Sequence, residues 1–379
     1  MTPFAVAMPP RILFGRGEAA RAAGLIRAFG TRGVIVHGAT ASRAAWLIEA
    51  VQGQGADVLA LACGTEPSLP MLEAALASAR PFKADWVAAL GGGAALDLGK
   101  ALAALLPAPG GPMDHLEVVG KGLPLSRPPL PFIALPTTAG TGAEATKNAV
   151  IGLPDHGRKV SLRDDRMVAR LAIVDPALTD NTPRAVTLAS GLDAVTQVIE
   201  PFVSGKATPF TDAITAPAIP RGLQALHRLV QGEDPAARDE LAWVSLSGGI
   251  ALANAGLGAV HGLAGVIGGL VPAPHGAVCG ALLGPILRLN RARAAGETAV
   301  RLDAVFAQVA ATLGGDAARA PETLADWARA AGLPSLGDLG LPSGLHDQVA
   351  RDAMSSSSMK GNPVELSTAD LMSALDAAS

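Results

Sequence analysis

The chain has no tyrosine, and aromatic residues make up only 3% of its 379 residues. This composition argues against an aromatic-rich β-sandwich, whereas abundant alanine and glycine favour helices and close backbone packing. Charged residues are also scarce, at 17%, and the hydrophobic share of 49% argues against a disordered chain. A net charge of −3 without a basic cluster gives no electrostatic support for nucleic acid as a partner.

Cysteine is nearly absent as well. Cys63 and Cys279 lie far apart in sequence, so no disulfide framework is indicated and we expect a cytoplasmic location. The first residues lack the basic start and long apolar run of a signal peptide. Residues 241–287 contain no Asp, Glu, Lys or Arg and are long enough to span a bilayer. Their glycines, prolines and histidines, without a basic flank, instead predict a buried helical core and no membrane partner.

The length and a change of pattern near residue 182 predict two domains. Before that point, short apolar runs alternate with helix-like stretches, which is typical of βαβ units and a mostly parallel sheet. After it, Ala/Leu-rich segments with helical spacing dominate. We therefore predict an α/β nucleotide-binding domain with a parallel sheet over residues 1–182 and an all-α, metal-binding domain over residues 183–379.

Three consecutive glycines, Gly91, Gly92 and Gly93, follow a predicted strand and begin a helix. Glycine lets the backbone approach a ligand closely, and the helix dipole and free N–H groups attract anionic oxygens. The pattern is not the G-x-G-x-x-G fingerprint, and a tight turn without a ligand is the alternative interpretation. A second loop, residues 137–142, offers three hydroxyls after another strand, and two such loops can converge on one ligand.

Two side chains near these loops each have two interpretations. Asp97 either contacts the cofactor region or complements the dipole of the helix that follows the glycines. Lys159 either approaches a phosphate or the nicotinamide, or is a solvated loop lysine. The residues alone leave both alternatives open.

A possible metal site lies in the second half. Asp193 and Gln197 are four residues apart in a helical stretch, so their oxygen atoms share one helix face, although a plain polar pair has the same spacing. His261 and His275 both lie in the charge-free segment, and with the Asp193 pair they suggest a shared metal. The alternative is that each is a hydrogen-bonded core histidine, and the residues alone leave it open. Continuous helix would separate the two histidines by about 21 Å, so the glycines and prolines between them must turn the chain back.

The other candidate ligands have no supporting motif. Cys279 lies near His275 but has no partner that suggests nucleophilic use, so we interpret it as a small buried hydrophobic residue. The remaining histidines are predicted to be peripheral to the site: His37, His115, His156, His227 and His346.

Taken together, the motifs resemble those of the iron-dependent (group III) alcohol dehydrogenases, relatives of glycerol dehydrogenase and dehydroquinate synthase. The resemblance is nearly full-length, and its motifs are specific in combination. They are FGRG from Phe14, GGGAALD from Gly91, LPTTAGTGAE from Leu135, AIVDP from Ala172, GLDAVTQ from Gly191 and PHG from Pro274.

The resemblance implies a dehydroquinate synthase-like fold with an active site between an α/β dinucleotide domain and an all-α domain. It implies metal ligation by Asp193, His261 and His275, with Gln197 at the fourth ligand position. The expected cofactors are NAD or NADP and a divalent metal, Fe²⁺ first and Zn²⁺ second. The cofactor contacts to be expected are at Gly38, Gly92, Gly93, Ala94, Asp97, Thr137, Thr138, Thr141, Lys159 and Leu178.

Three positions depart from the family pattern. Gln197 stands where histidine is usual, and an amide oxygen is a harder, weaker ligand than imidazole, which leaves the metal's identity open. We place the chain in a branch with glutamine at this position. Gly265 replaces a frequent second histidine, so a proton relay must use water, the cofactor ribose or another side chain. Gly38 replaces an acid that favours NAD, so NADP is not repelled.

The predicted function is a metal-dependent, NAD(P)-linked oxidoreductase that interconverts an alcohol and an aldehyde or ketone by hydride transfer, as a homodimer. One alternative is reduction of an unsaturated keto acid such as maleylacetate. Another is a carbon–oxygen lyase, although the charge-free segment offers few cations for its anionic substrate. A metal-free nucleotide-binding protein without catalysis is the third, because of Gln197 and Gly265.

Overall fold

The computed structural model describes residues 3–379, which divide into two compact units. The α/β unit contains Ala7–Thr138 and Ala143–Thr179. The helical unit contains Ala139–Gly142 and Asp180–Ser379, together with the described residues before Ala7. The sequence placed the boundary between residues 182 and 183 and assigned the short 139–142 segment to the first domain.

Among residues 3–379, all eight strands belong to the α/β unit. They are β1 (Ile12–Phe14), β2 (Arg32–His37), β3 (Asp57–Ala62), β4 (Trp86–Gly91), β5 (Phe132–Pro136), β6 (Asn148–Leu153), β7 (Arg158–Arg163) and β8 (Leu171–Val174). Six form a parallel sheet in the order β1-β8-β5-β4-β2-β3, which confirms the predicted sheet. The antiparallel hairpin of β6 and β7 was not predicted.

Helices cover both faces of this sheet. The α-helices of the unit are α1 (Ala22–Arg27), α2 (Ala45–Gly53), α3 (Leu69–Ala79), α4 (Gly93–Leu105) and α5 (Pro112–His115). Val34 and Val87 belong to a buried cluster with residues of α3 and α4, whereas Ile35 and Ala88 belong to a second cluster with residues of α1 and α2. Strands buried on both faces read as continuous apolar runs, which is why the sequence revealed them.

The helical unit consists of nine α-helices in its described part. They are α6 (Arg184–Val203), α7 (Pro209–Gln231), α8 (Pro235–Ala255), α9 (Ala259–Leu270), α10 (His275–Arg293), α11 (Gly296–Leu313), α12 (Ala320–Ala330), α13 (His346–Ala353) and α14 (Thr368–Ala378). Thr208, Asp234 and Ser367 begin α7, α8 and α14 by accepting a hydrogen bond from a first-turn N–H. α6 packs against α7, α8 and α10, so its buried face lies inside the unit.

The charge-free segment of residues 241–287 forms most of α8, all of α9 and the first part of α10. Most of its large apolar side chains are buried in the core of the helical unit, as predicted. No single helix among residues 3–379 is long and apolar enough to cross a membrane; α8 and α9 satisfy the length and composition criteria only as a pair bent by 98°.

Candidate functional site

Helix α6 places Asp193 and Gln197 one turn apart in the interior of the helical unit. Both residues are 2% exposed. The Gln197 Nε2 donates a hydrogen bond to the carbonyl oxygen of Gly140 at 2.7 Å. An amide nitrogen has no lone pair for a cation, so Oε1 is the atom of Gln197 that can act as a ligand.

The chain turns back between His261 and His275, as the glycines and prolines between them predicted. Helix α9 ends at Leu270, and α10 begins at His275. His261 lies in the first turn of α9, and the two imidazole rings are 5.4 Å apart between their centroids. The two histidines therefore lie at facing ends of consecutive helices.

Four side chains direct potential ligand atoms at one another, and we call them the donor cluster: Asp193, His261, His275 and Cys279. One atom from each lies within 4.8 Å of the other three. The His261 Nε2 is 3.2 Å from Asp193 Oδ1, and the Cys279 Sγ is 3.6 Å from His275 Nε2. Three of the four were predicted from the sequence to share a metal.

Cys279 is the member of the cluster that sequence reasoning set aside. It is fully buried, as expected of a small core residue. Its position one helical turn after His275, however, brings the sulfur beside that histidine. The i,i+4 spacing was visible in the sequence and was the signal that could have included it.

Glu200 orients His261 and was not predicted. Its Oε2 lies 2.6 Å from His261 Nδ1, and its Oε1 accepts a hydrogen bond from the Val260 N–H at 2.8 Å. The carboxylate fixes the proton on Nδ1 and leaves Nε2 as the atom that faces Asp193. Metal-ligating histidines usually donate their other ring N–H to a carboxylate or a carbonyl in this way. Glu200 follows Asp193 by two turns of α6, a spacing that places both on one helix face.

The segment around Asn362 holds the beginning of α9. The Asn362 Oδ1 accepts a hydrogen bond from the Ala259 N–H at 3.1 Å. At Gly361, an added Cβ would lie 2.0 Å from the carbonyl oxygen of Leu257, so only glycine is accommodated there. Because His261 follows Ala259 by two residues, these contacts also position its imidazole.

The pKa of each side chain in the donor cluster depends on the charges of the others. Burial disfavours the Asp193 carboxylate, but the hydrogen bond from His261 and the charges of both histidines hold its pKa below the ordinary value. Burial also opposes the imidazolium forms, yet the Cys279 and Asp193 charges raise the pKa of His275 to about 9. The Cys279 and Glu200 charges likewise raise the pKa of His261 well above its ordinary value. The cluster thus stabilises positive charge at its centre.

In the α/β unit, the glycine loop and the first two residues of the second predicted loop follow neighbouring strands, whereas residues 139–142 belong to the helical unit. β4 and β5 are parallel, with Gly91 opposite Pro136. Gly92 precedes α4 without a side-chain cap, so first-turn N–H groups of this helix remain for an anion. An added Cβ at Gly92 would lie 3.3 Å from Thr138 Oγ1, which shows how closely the loops approach. Gly38 follows β2, the other neighbour of β4.

The other predicted cofactor residues lie in varied surroundings. Gly93 and Ala94 begin α4, and Leu178 packs beside the cluster that contains α1 and α2. Thr137 follows β5, whereas Thr141 belongs to the short segment of the helical unit.

Asp97 and Lys159 both have protein partners. The Asp97 Oδ2 accepts a hydrogen bond from the Val150 N–H of β6 at 3.0 Å. Lys159 forms an ion pair with Glu66 and lies on strand β7, so the interpretation of Lys159 as a solvated loop lysine is wrong. The reason is the β6–β7 hairpin, whose strands the sequence analysis did not recognise.

Comparison with known proteins covers nearly the whole chain. Residues 9–176 match the family described as iron-containing alcohol dehydrogenase, and residues 187–379 match the Fe-containing alcohol dehydrogenase family, C-terminal. The chain is 34% identical over 325 residues to long-chain-alcohol dehydrogenase 1 of Geobacillus thermodenitrificans (strain NG80-2), covering 83% of this chain and 80% of that protein. It is 32% identical over 313 residues to 4-hydroxybutyrate dehydrogenase of Cupriavidus necator, covering 81% of each.

A solved structure extends the similarity to the fold of the full chain. The crystal structure of a 1,3-propanediol oxidoreductase superposes with a TM-score of 0.89 at 25% identity and covers 100% of both chains.

Proposed function

Because this chain belongs to the iron-containing alcohol dehydrogenase family, we propose that it is a metal-dependent, NAD(P)-linked oxidoreductase that interconverts an alcohol and an aldehyde or ketone. The observation that carries the proposal is the convergence of Asp193, His261 and His275 within 4.8 Å. One carboxylate and two imidazoles are a donor set suited to a divalent transition metal. The named relatives act on long-chain alcohols, 4-hydroxybutyrate and 1,3-propanediol, all hydroxyl compounds.

We propose that Asp193, His261 and His275 hold the ion; the family position makes Gln197 Oε1 one candidate for the fourth ligand. When bound, the ion supplies Lewis-acid polarisation of the substrate oxygen, while the nicotinamide exchanges a hydride with the substrate carbon. Asp193 contributes negative charge, and Glu200 holds the His261 ring with Nε2 toward Asp193. Their burial excludes water, which strengthens each of these electrostatic interactions.

Proton transfer in this chain needs a group other than a second histidine. Gly265 occupies the position one turn after His261, and an added Cβ there would meet no heavy atom within 4 Å. The surroundings of Gly265 are therefore open within 4 Å of a Cβ. We propose that water or the cofactor ribose carries the proton to and from the substrate oxygen.

We propose that the dinucleotide binds at the beginning of α4 and the loop that follows β5. The residues expected to contact it are Gly38, Gly92, Gly93, Ala94, Asp97, Thr137, Thr138, Thr141, Lys159 and Leu178. Gly38 carries no carboxylate to repel a 2′-phosphate, so both NADH and NADPH are expected to serve. An added Cβ at Gly38 meets nothing within 4 Å, so Gly38→Asp is expected to fold and to raise the KM for NADPH more than that for NADH.

The test is metal analysis of protein purified without oxygen, combined with nicotinamide absorbance in the presence of an aldehyde panel. Wild-type protein is expected to contain about one divalent ion per chain, with Fe²⁺ as the first expectation from the family, and to oxidise NADH or NADPH. Asp193→Ala is expected to lose both properties. If no metal co-purifies with the wild type or restores its activity, the proposal fails in favour of a metal-free nucleotide-binding protein.

We further propose a cytoplasmic homodimer within a branch of the family that carries glutamine at position 197. The low cysteine content supports the location. The exposed side chains of Val186 on α6 and Val300 on α11 give the helices apolar surface for self-association. Light scattering of the purified chain measures its mass directly, and a monomer would contradict the predicted dimer.

A further inference from the structure

We propose that Cys279 supplies a thiolate ligand to the metal, which gives this chain the ligand set Asp193, His261, His275 and Cys279. The proposal rests on the metal-dependent function above and specifies which side chains hold the ion. It moves the fourth ligand from α6, where Gln197 lies, to α10.

Two of the separations between donor atoms match those between neighbouring ligands of one ion. With Zn–S of about 2.3 Å and Zn–N and Zn–O of about 2.0–2.1 Å, tetrahedral angles give edges of about 3.6 Å for S···N and about 3.3 Å for N···O. The Cys279 Sγ lies 3.6 Å from His275 Nε2, and the Asp193 Oδ1 lies 3.2 Å from His261 Nε2. Both pairs therefore already have the separation that one ion requires.

Gln197 is the weaker candidate for the fourth position. Its Nε2 is hydrogen-bonded to the Gly140 carbonyl, and its remaining donor is a neutral amide oxygen. Thiolate binds zinc and similar transition metals more strongly than an amide oxygen does, and it adds a negative charge. The family's histidine at position 197 is thus replaced in function by a sulfur one turn after His275.

The two cysteines differ in which atoms surround the sulfur, and this difference distinguishes a metal ligand from a core residue. A cysteine that only fills space behaves as a small hydrophobic residue. Cys63 in the α/β unit does so, since its thiol donates to the Thr65 carbonyl at 3.2 Å and contacts the Met71 sulfur at 3.8 Å. The Cys279 sulfur instead lies beside His275 Nε2, in a group that also contains a carboxylate.

A thiolate also changes which metal the site prefers. Carboxylate and imidazole ligands suit iron, zinc and several other ions, whereas a soft thiolate shifts the preference from iron toward zinc. We therefore expect Zn²⁺ to bind this chain more tightly than Fe²⁺, despite the name of the family.

Cobalt substitution tests the ligand without any assay of activity. The chain is stripped with a chelator and loaded with Co²⁺, its cobalt content is measured, and its near-ultraviolet spectrum is inspected for thiolate-to-cobalt charge transfer. The band is expected in the wild type, in Cys63→Ser and in Gln197→Ala, and it is expected to disappear in Cys279→Ser. Zinc affinity should fall in Cys279→Ser by more than the roughly 10- to 100-fold typical of outer-shell partners.

The outcomes separate this proposal from the proposed function. One cobalt per chain without the band, or a band that survives in Cys279→Ser, overturns the thiolate ligand and leaves the metal-dependent function intact. A wild type that binds no cobalt overturns the metal site and the thiolate together. Circular dichroism verifies that Cys279→Ser is folded, and Cys279→Ala replaces it if the buried hydroxyl prevents folding.

Discussion

The two units both bury charged side chains, but they satisfy them in opposite ways. In the α/β unit, Lys100 is 1% exposed and donates to Ala143 O, Thr146 Oγ1 and Asn148 O at 2.6–2.8 Å. These three bonds use all the N–H groups of its ammonium. In the helical unit, the donor cluster places a carboxylate, two imidazoles and a thiol within 4.8 Å of one another. Burial alone therefore does not mark a functional site; a buried cluster made entirely of side chains that can ligate a metal does.

Removal of the metal is the largest effect that this comparison predicts. An ion present at about 1,000 times its Kd stabilises the folded state by about 4 kcal/mol. Because α6, α9 and α10 carry the donor cluster, hydrogen exchange in their peptides should quicken strongly on chelation. Peptides of β4 and β5 should exchange unchanged. Mass spectrometry measures the exchange. Equal loss of protection in both units would contradict the assignment of the metal to the helical unit.

Substitution of Lys100 by methionine is expected to give the reverse pattern. The change leaves three buried acceptors and the nearby Glu144 without the cation. Removal of one partner from a buried, charged interaction lowers the free energy of unfolding by about 3 kcal/mol. Denaturant unfolding should show the loss, while metal content stays that of the wild type. Met167→Leu, a volume-conserving change of a buried residue in the same unit, serves as the control. A Lys100→Met protein that is fully stable but metal-free would refute the assignment of Lys100 to structure.

The pH dependence of the α/β unit follows from Glu144. Burial raises its pKa to about 7, against the opposing backbone hydrogen bond and the Lys100 charge. A raised pKa means that the folded state binds more protons than the unfolded state between pH 4.5 and 7, so stability falls as pH rises through this window. The expected loss between pH 5 and 7 is about 2–3 kcal/mol.

Glu144→Gln removes this titration and should flatten the pH dependence of the hydrogen-exchange protection factors of β4 and β5 between pH 5 and 7. The titration of Lys100 does not overlap this window. Burial lowers its pKa only to about 8, so its contribution to the pH dependence of stability begins at higher pH. An unchanged slope in Glu144→Gln would show that another group titrates.

The sequence predicted those features that depend on local spacing. The parallel strands were recognisable as apolar runs, and the break between His261 and His275 followed from the length of a helix. Glu200 was missed because its partner His261 is 61 residues away, and no local pattern reports that contact. Cys279 was missed because the i,i+4 spacing shows which residues share a face but not what that face meets.

Glu200→Gln is expected to have the smallest of the predicted effects. It tests whether metal binding by the donor cluster depends on the contact between Glu200 and His261. Glutamine retains an oxygen for His261 Nδ1 but loses the charge, so zinc affinity should fall by roughly 10- to 100-fold. Glu240→Gln is the matched control, because Glu240 forms an exposed ion pair with Arg221 in the same unit and such pairs contribute little. Competition with a chromogenic chelator measures both affinities. If the two variants lose affinity equally, His261 is held by packing and by the Asn362 contact at the start of α9; a loss confined to Glu200→Gln shows that the carboxylate orients the ligand.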